Sequence, residues 1–277
     1  MHCSTLALLL VVILAAFLAY RRGIYTADGA AAGVAVYAAA SLAGTVWAVL
    51  TALYVVASIL LSGYGAEVKA SRLGRLQGRA YHTWRHLAGR LGWGMVLVIL
   101  VQLQHTDVLD YAFVGVIATA LADVAATELG TLSAQPPRRL SDGVATSYGA
   151  PGAVSQIGLV AAAAGSWLAG LAALVGYFIV ALRARALWND ALLWLPMAAL
   201  AGGFIGTLSD SLLGAVAQSR YYCEHCRMIS RSATHWCGLN ASHTGGLRWV
   251  TGELVGLVGS LVGGSVTVLI MLLASNI

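Results

Sequence analysis

Apolar positions in this chain come in long unbroken runs separated by short polar connections, with neither the two-residue alternation of barrel strands nor the narrow stripe of a soluble amphipathic helix. A helix needs about 20 residues to cross a hydrocarbon core of roughly 30 Å, and several runs approach or exceed that length. The candidate spans are Ser4–Tyr20, Ala30–Ser41, Thr45–Ser62, Gly92–Leu103, Tyr111–Leu129, Ala153–Ala181, Leu192–Ala217 and Trp249–Ala274. The second and fourth are short for a full crossing, which predicts tilt, extension or re-entry. The sixth is long enough to break near Gly165 or Gly170. The expectation is an all-α, polytopic membrane protein of about eight transmembrane or re-entrant helices. It forms a single integral membrane domain over 1–277, with residues 218–248 as an extramembrane loop.

Composition sharpens this picture: 59% hydrophobic residues, 10% charged and a mean hydropathy of +0.81 exclude an ordinary soluble domain. The first run has no basic residue before it and Arg21 and Arg22 after it, the pattern of an uncleaved anchor rather than a cleaved signal. Basic residues crowd three connections: Lys69, Arg72, Arg75, Arg79, Arg85 and Arg90 in one, Arg138 and Arg139 in another, and Arg220, Arg227, Arg231 and Arg248 in the third. Alternating the spans puts all three on one face and the connection at Asp107–Asp110 on the other, in line with the positive-inside bias. Arg183 and Arg185 do not fit this arrangement and mark either a misplaced span or an exception to a statistical rule. A pI near 9.2 is explained by these flanking arginines, so no nucleic-acid partner is expected.

Acidic residues inside the apolar runs are the first candidates for chemistry, because an idle charge in a bilayer is costly. They are Asp123, Glu128 and Asp210. Carboxylates hold Mg²⁺ while arginines contact phosphate oxygens, a division of labour suited to phosphoryl transfer. The alternative is that the acids fasten helices and the arginines set topology or touch anionic lipid. Gly203, Gly206, Asp210 and Gly214 recur at intervals of three and four and share one helical face. Gly206, Ser209 and Ser211 around the acid are candidates for phosphate contact, although serines in membrane helices commonly bond to their own backbone. Cys223, Cys226, His235 and Cys237 offer three sulfurs and one imidazole, a donor set for a closed structural Zn²⁺ site; a disulfide or free thiols are the other readings. Phosphate-loop, zinc-protease and nucleophile-elbow signatures are absent from the sequence.

Three segments in order carry a resemblance: Asp123-Val-Ala-Ala-Thr-Glu-Leu-Gly130, Pro151-Gly-Ala-Val-Ser155 with Gly158, and Gly202 to Ala215 with Gln218. The chain resembles the domain-of-unknown-function 92 family over most of its length after the first span. That resemblance implies a multi-helix enzyme that phosphorylates an isoprenyl monophosphate from a nucleoside triphosphate, with CTP the implied donor. Membrane lipid is the expected surrounding. Asp123, Glu128 and Asp210 match the family's acidic positions. Gly152 and Ser155 fall in a glycine-rich turn able to approach phosphate through backbone N–H groups, and Arg79 after Gly78 matches its Gly-Arg segment. Two segments depart from the pattern. Around Trp84–Gly92 the family carries a Gln and an Asn where this chain has Arg85, His86, Gly89 and Arg90. At Trp249–Gly256 an Asn-rich segment is replaced by Thr251, Gly252 and Gly256, with Glu253 the one acid. An ion-coupled transporter and an inactive relative acting in membrane assembly are the competing expectations.

Overall fold

In hydrocarbon every backbone N–H and C=O must be satisfied within its own segment, so unbroken apolar runs become helices. The computed structural model describes residues 3–73, 82–185, 187–235 and 237–275. Among these, nine helices follow one another: α1 (Cys3–Arg21), α2 (Ala27–Ala43), α3 (Thr45–Gly63), the short α4 (Ala66–Leu73), α5 (Trp84–Leu103), α6 (Asp107–Gly130), α7 (Gln156–Ala184), α8 (Leu195–Val216) and α9 (Gly252–Ala274). Six segments, α3, α5, α6, α7, α8 with the 3-10 turn Asp190–Trp194 before it, and α9, are long and apolar enough to cross a membrane. The protein is a multi-pass integral membrane protein. Apolar α1 and α2 match the two remaining expected spans.

Several boundaries move. The fourth run extends back to Trp84, because Asp28 on α2 accepts the Trp84 backbone N–H at 3.1 Å and so caps α5 about two turns before the apolar stretch begins at Gly92. Arg85 and Arg90 therefore sit on a helix, not in a connection. Asp107 and Asp110 likewise belong to the first turn of α6, where acidic side chains complement the helix dipole. Helix α7 runs through Gly165 and Gly170 without a break for 29 residues, about 43 Å at 1.5 Å per residue. Those glycines instead admit neighbours: a Cβ on Gly165 would meet the Leu121 carbonyl at 2.9 Å, and one on Gly170 the Pro196 Cα at 2.6 Å.

Helix α6 is the centre of the bundle, with 78% of its apolar window buried against 22% for α7. Exposed Val160, Leu168 and Val175 give α7 a face for lipid. Helices α8 and α9 cross backbone to backbone. A Cβ on Gly206 would lie 2.7 Å from the Gly259 carbonyl, and one on Gly259 would lie 2.9 Å from the Gly206 carbonyl, so both positions need glycine to keep the crossing.

Two small sheets stand outside the helices. Strands β1 (Arg138–Arg139) and β2 (Ala153–Val154) pair antiparallel between α6 and α7. Between α8 and α9, β3 (Arg220–Cys223) lies between β4 (Met228–Ser230) and β5 (Ser242–Gly245), so the 218–248 loop carries a three-stranded sheet.

Candidate functional site

The starts of α5, α7 and α9 and the ends of α6 and α8 converge at one face of the bundle, around a cavity of about 520 Å³. Three helix N-termini at one cavity favour negative charge there. Arg85, Arg90, Arg231 and Arg248 line the same space, as do Asp123 and Asp210. Apart from Arg183 and Arg185, the described basic residues lie at this end of the helices or in the connections that leave it. Those two arginines close the opposite end of α7, where Arg183 lies in the last turn beside the carbonyl end of the helix dipole.

Asp123, about two turns before the end of α6, forms an ion pair with Arg90 of α5, and the same guanidinium meets the His86 imidazole one turn earlier. Thr127, four residues on, reaches the other carboxylate oxygen at 3.5 Å. Asp210 enters from α8. Gly256 and Gly259 of α9 leave room for it, since a Cβ at those positions would meet Asp210 Oδ2 at 3.7 Å and its Cβ at 3.2 Å. Asp123, Arg90 and Arg231 line the same cavity as Asp210. Two carboxylates from separate helices thus share one cavity with guanidinium groups around them.

The glycine-rich turn forms another wall. Gly152 has φ +69°, a left-handed conformation, and a Cβ there would collide with the Ala215 backbone of α8. Ser155 caps α7, accepting the Gly158 N–H at 3.1 Å and donating to the Gly130 carbonyl at 3.2 Å. Both line the cavity, as does Ser211. Ser209 is outside the lining and donates to its own helix at the Ile205 carbonyl, 2.9 Å away. Gly206 is buried at the α8–α9 crossing and is not part of the wall. Arg79 lies outside the described residues.

Glu128 faces elsewhere. Its oxygens accept from Lys69 Nζ at 2.7 Å and Ser62 Oγ at 2.9 Å, with His82 Nε2 at 3.7 Å, and all four residues are buried. This cluster joins α3, α4 and α6 behind the cavity, and Glu128 is not among the cavity-lining residues. Arg72 extends the same brace by donating to the Thr131 carbonyl at the end of α6, 2.7 Å away. Lys69, Arg72 and Arg90 read in the sequence as charges of a connection. Each instead has a buried or half-buried partner. The available signal for Arg90 was its helical spacing from His86 at the mouth of an apolar run.

The segments Trp84–Gly92 and Trp249–Gly256 meet here. A Cβ on Gly89 would lie 2.8 Å from Glu253 Cα, and one on Gly256 would lie 3.1 Å from the Gly89 carbonyl, so α5 and α9 touch there. Arg85, His86, Arg90, Thr251 and Glu253 all line the cavity.

Cys223, Cys226, His235 and Cys237 lie at the outer edge of the three-stranded sheet, with their donor atoms all within 4.8 Å of one another. The backbone N–H of Leu239 lowers the Cys237 thiol pKa, and burial, then the charge of His225, lowers that of His235.

A family model described as integral membrane protein DUF92 matches residues 10–270. Among curated proteins, the chain is 28% identical over 224 residues to Protein PGR of Arabidopsis thaliana, covering 76% of this chain and 77% of that protein. It is 27% identical over 192 residues to the uncharacterized membrane protein MJ0933 of Methanocaldococcus jannaschii, covering 68% and 72% respectively. No solved structure matches.

Proposed function

The chain belongs to the DUF92 family of integral membrane proteins, and we propose that it is an isoprenyl-phosphate kinase, moving the terminal phosphoryl group of a nucleoside triphosphate, CTP by resemblance, onto a prenyl or phytyl monophosphate. One observation carries the reading: Asp123 and Asp210, from different helices, line a single arginine-rich cavity at the helix ends. A water-soluble donor and a lipid acceptor must meet at a membrane face, with the prenyl tail among apolar helices and its phosphate at the polar end.

In this reaction an oxygen of the acceptor monophosphate attacks the terminal phosphorus of the donor. The bond from that phosphorus to the bridging oxygen breaks, a new P–O–P link forms, and nucleoside diphosphate leaves with the electron pair. Arg85, Arg231 and Arg248 balance the phosphate charges, and Arg79 is assigned the same role. The N-termini of α5, α7 and α9 add fixed positive potential. Gly152 allows the turn beside Ser155 and Ser211 to approach phosphate with N–H and hydroxyl donors. The Arg90–Asp123 pair orients the Asp123 carboxylate.

Asp123 and Asp210 are the oxygen donors that would hold Mg²⁺, a hard cation whose charge would offset that of the phosphates. Glu128 serves the site indirectly, by fixing the end of α6 on which Asp123 is mounted. The arginine-rich face corresponds to the cytosolic side by the positive-inside bias, where nucleoside triphosphates are available.

Purified protein in detergent or nanodiscs, given CTP or another nucleoside triphosphate with phytyl or polyprenyl phosphate, is expected to form the diphosphate, and Asp210→Asn to abolish it. Failure of every donor and acceptor pair would overturn the assignment. Substrate uptake by proteoliposomes without a diphosphate product would favour a carrier instead.

A further inference from the structure

The loop between α8 and α9 forms part of the cavity wall, yet among its described residues Cys223 and Val250 are the apolar side chains that are buried. Its four clustered metal-ligating side chains supply what packing does not. Cys223 ends β3 and pairs in register with Met228, so Cys226 falls in the intervening turn, which Arg227 closes at φ +53°. His235 and Cys237 come from a second turn, in which the His235 N–H donates to the Leu239 carbonyl at 2.9 Å and the Gly238 N–H to the His235 carbonyl at 2.8 Å.

The spacing of the donors matches one ion. Zinc–sulfur bonds of about 2.3 Å in a tetrahedron put neighbouring sulfurs about 3.8 Å apart. Cys223 Sγ and Cys237 Sγ are separated by 3.7 Å, and His235 Nδ1 lies 3.2 Å from Cys237 Sγ. A disulfide needs sulfurs at about 2.04 Å. Three thiolates and one imidazole complete a closed tetrahedron with no position open to substrate.

We propose that Cys223, Cys226, His235 and Cys237 hold one structural Zn²⁺, and that this ion fixes the loop that closes the cavity. The link to the cavity is direct. Tyr221 of β3 and Arg231 after β4 line it, and Arg231 Nε donates to the Gly149 carbonyl on the opposite wall at 3.0 Å. Release of zinc frees the two turns from each other and so loosens the strand that presents Arg231. The ion takes no part in any reaction, and the assignment stands apart from the identity of the substrate.

Elemental analysis of the full chain, purified in detergent without added chelator, is expected to give about one zinc per molecule. Cys226→Ser and His235→Ala should each lower that toward zero, while His225→Ala, an exposed neighbour outside the cluster, keeps it. Cobalt substitution of the wild-type protein should give tetrahedral visible bands and thiolate-to-metal charge transfer, which tests the ligand set without relying on variants that fail to fold. Trypsin should cut at Arg227 or Arg231 on chelation and spare both when zinc is restored. Absence of zinc, zinc content unchanged in Cys226→Ser, a Cys223–Cys237 disulfide in the native protein, or an iron–sulfur spectrum after anaerobic purification would each overturn the proposal. Unchanged proteolysis on chelation would overturn the part concerning the loop.

Discussion

Glu128→Ala is the substitution that separates a scaffolding carboxylate from a reacting one. Lys69 Nζ lies 2.7 Å from Glu128 Oε2, and both side chains are 6% exposed. At an effective dielectric constant of about 20, Coulomb attraction over that distance is roughly 6 kcal/mol, opposed by a desolvation cost of several kcal/mol per ion. Removing one partner strands the other charge, for an expected net loss of about 3–5 kcal/mol. Ser62 loses its acceptor in the same step. At about 2–4 °C per kcal/mol for a chain of this order of size, the melting temperature should fall by roughly 6–20 °C, read by tryptophan fluorescence in detergent. Replacing both charges, as Lys69→Met with Glu128→Leu, should recover at least half of the loss, because an apolar pair of similar volume removes the stranded ion. The Leu61 carbonyl, which also accepts from Lys69, keeps the recovery incomplete. A single variant melting within about 2 °C of the parent, or a double variant as unstable as the single, would refute this account. Product formation by the folded double variant would place Glu128 outside the reaction centre, and its loss would place Glu128 within it.

Four further outcomes are expected. Asp210→Asn should leave the melting temperature near that of the parent and lower kcat for diphosphate formation by at least about 100-fold, the scale for losing one preorganised charge in a closed site. Arg90→Gln removes the partner of Asp123 and should reduce kcat/KM by a similar factor; rescue by Arg90→Lys is expected to be poor, because the guanidinium meets both Asp123 and His86. Gly206→Val forces side-chain atoms onto the Gly259 carbonyl and should destabilise the protein by about 1–3 kcal/mol or more, read as a melting shift. Ser155→Ala removes the cap of α7 and should cost about 1 kcal/mol, with KM for the phosphorylated substrates rising if the same hydroxyl also touches phosphate.

How far the site was legible in the sequence differs from residue to residue. Asp123 and Asp210 stood out because each interrupts an apolar run, and both open onto the cavity. Glu128 stood out for the same reason and lies in a separate buried cluster, since hydropathy registers that a charge is enclosed but not what encloses it. Gly206 and Ser209 shared the helical neighbourhood of Asp210, yet one meets the α9 backbone and the other bonds to its own helix. Arg90 was hidden by its position beside other basic residues, where a topology signal and a buried ion pair look alike. Gly165 and Gly170, read as possible breaks, are contact points in an unbroken helix.

Membrane class, the order of the apolar spans and the grouping of Cys223, Cys226, His235 and Cys237 in one loop were legible in the sequence alone, because each depends on properties of adjacent residues: transfer free energy summed along a run, or side-chain spacing within one loop. Tertiary structure decided which charges meet. Arg90 finds Asp123 33 residues away and Lys69 finds Glu128 59 residues away, through helix rotations and crossings that no local pattern encodes. The same crossings bring the starts of α5 and α9 into one wall, because Gly89 and Gly256 lack the Cβ atoms that would hold those helices apart.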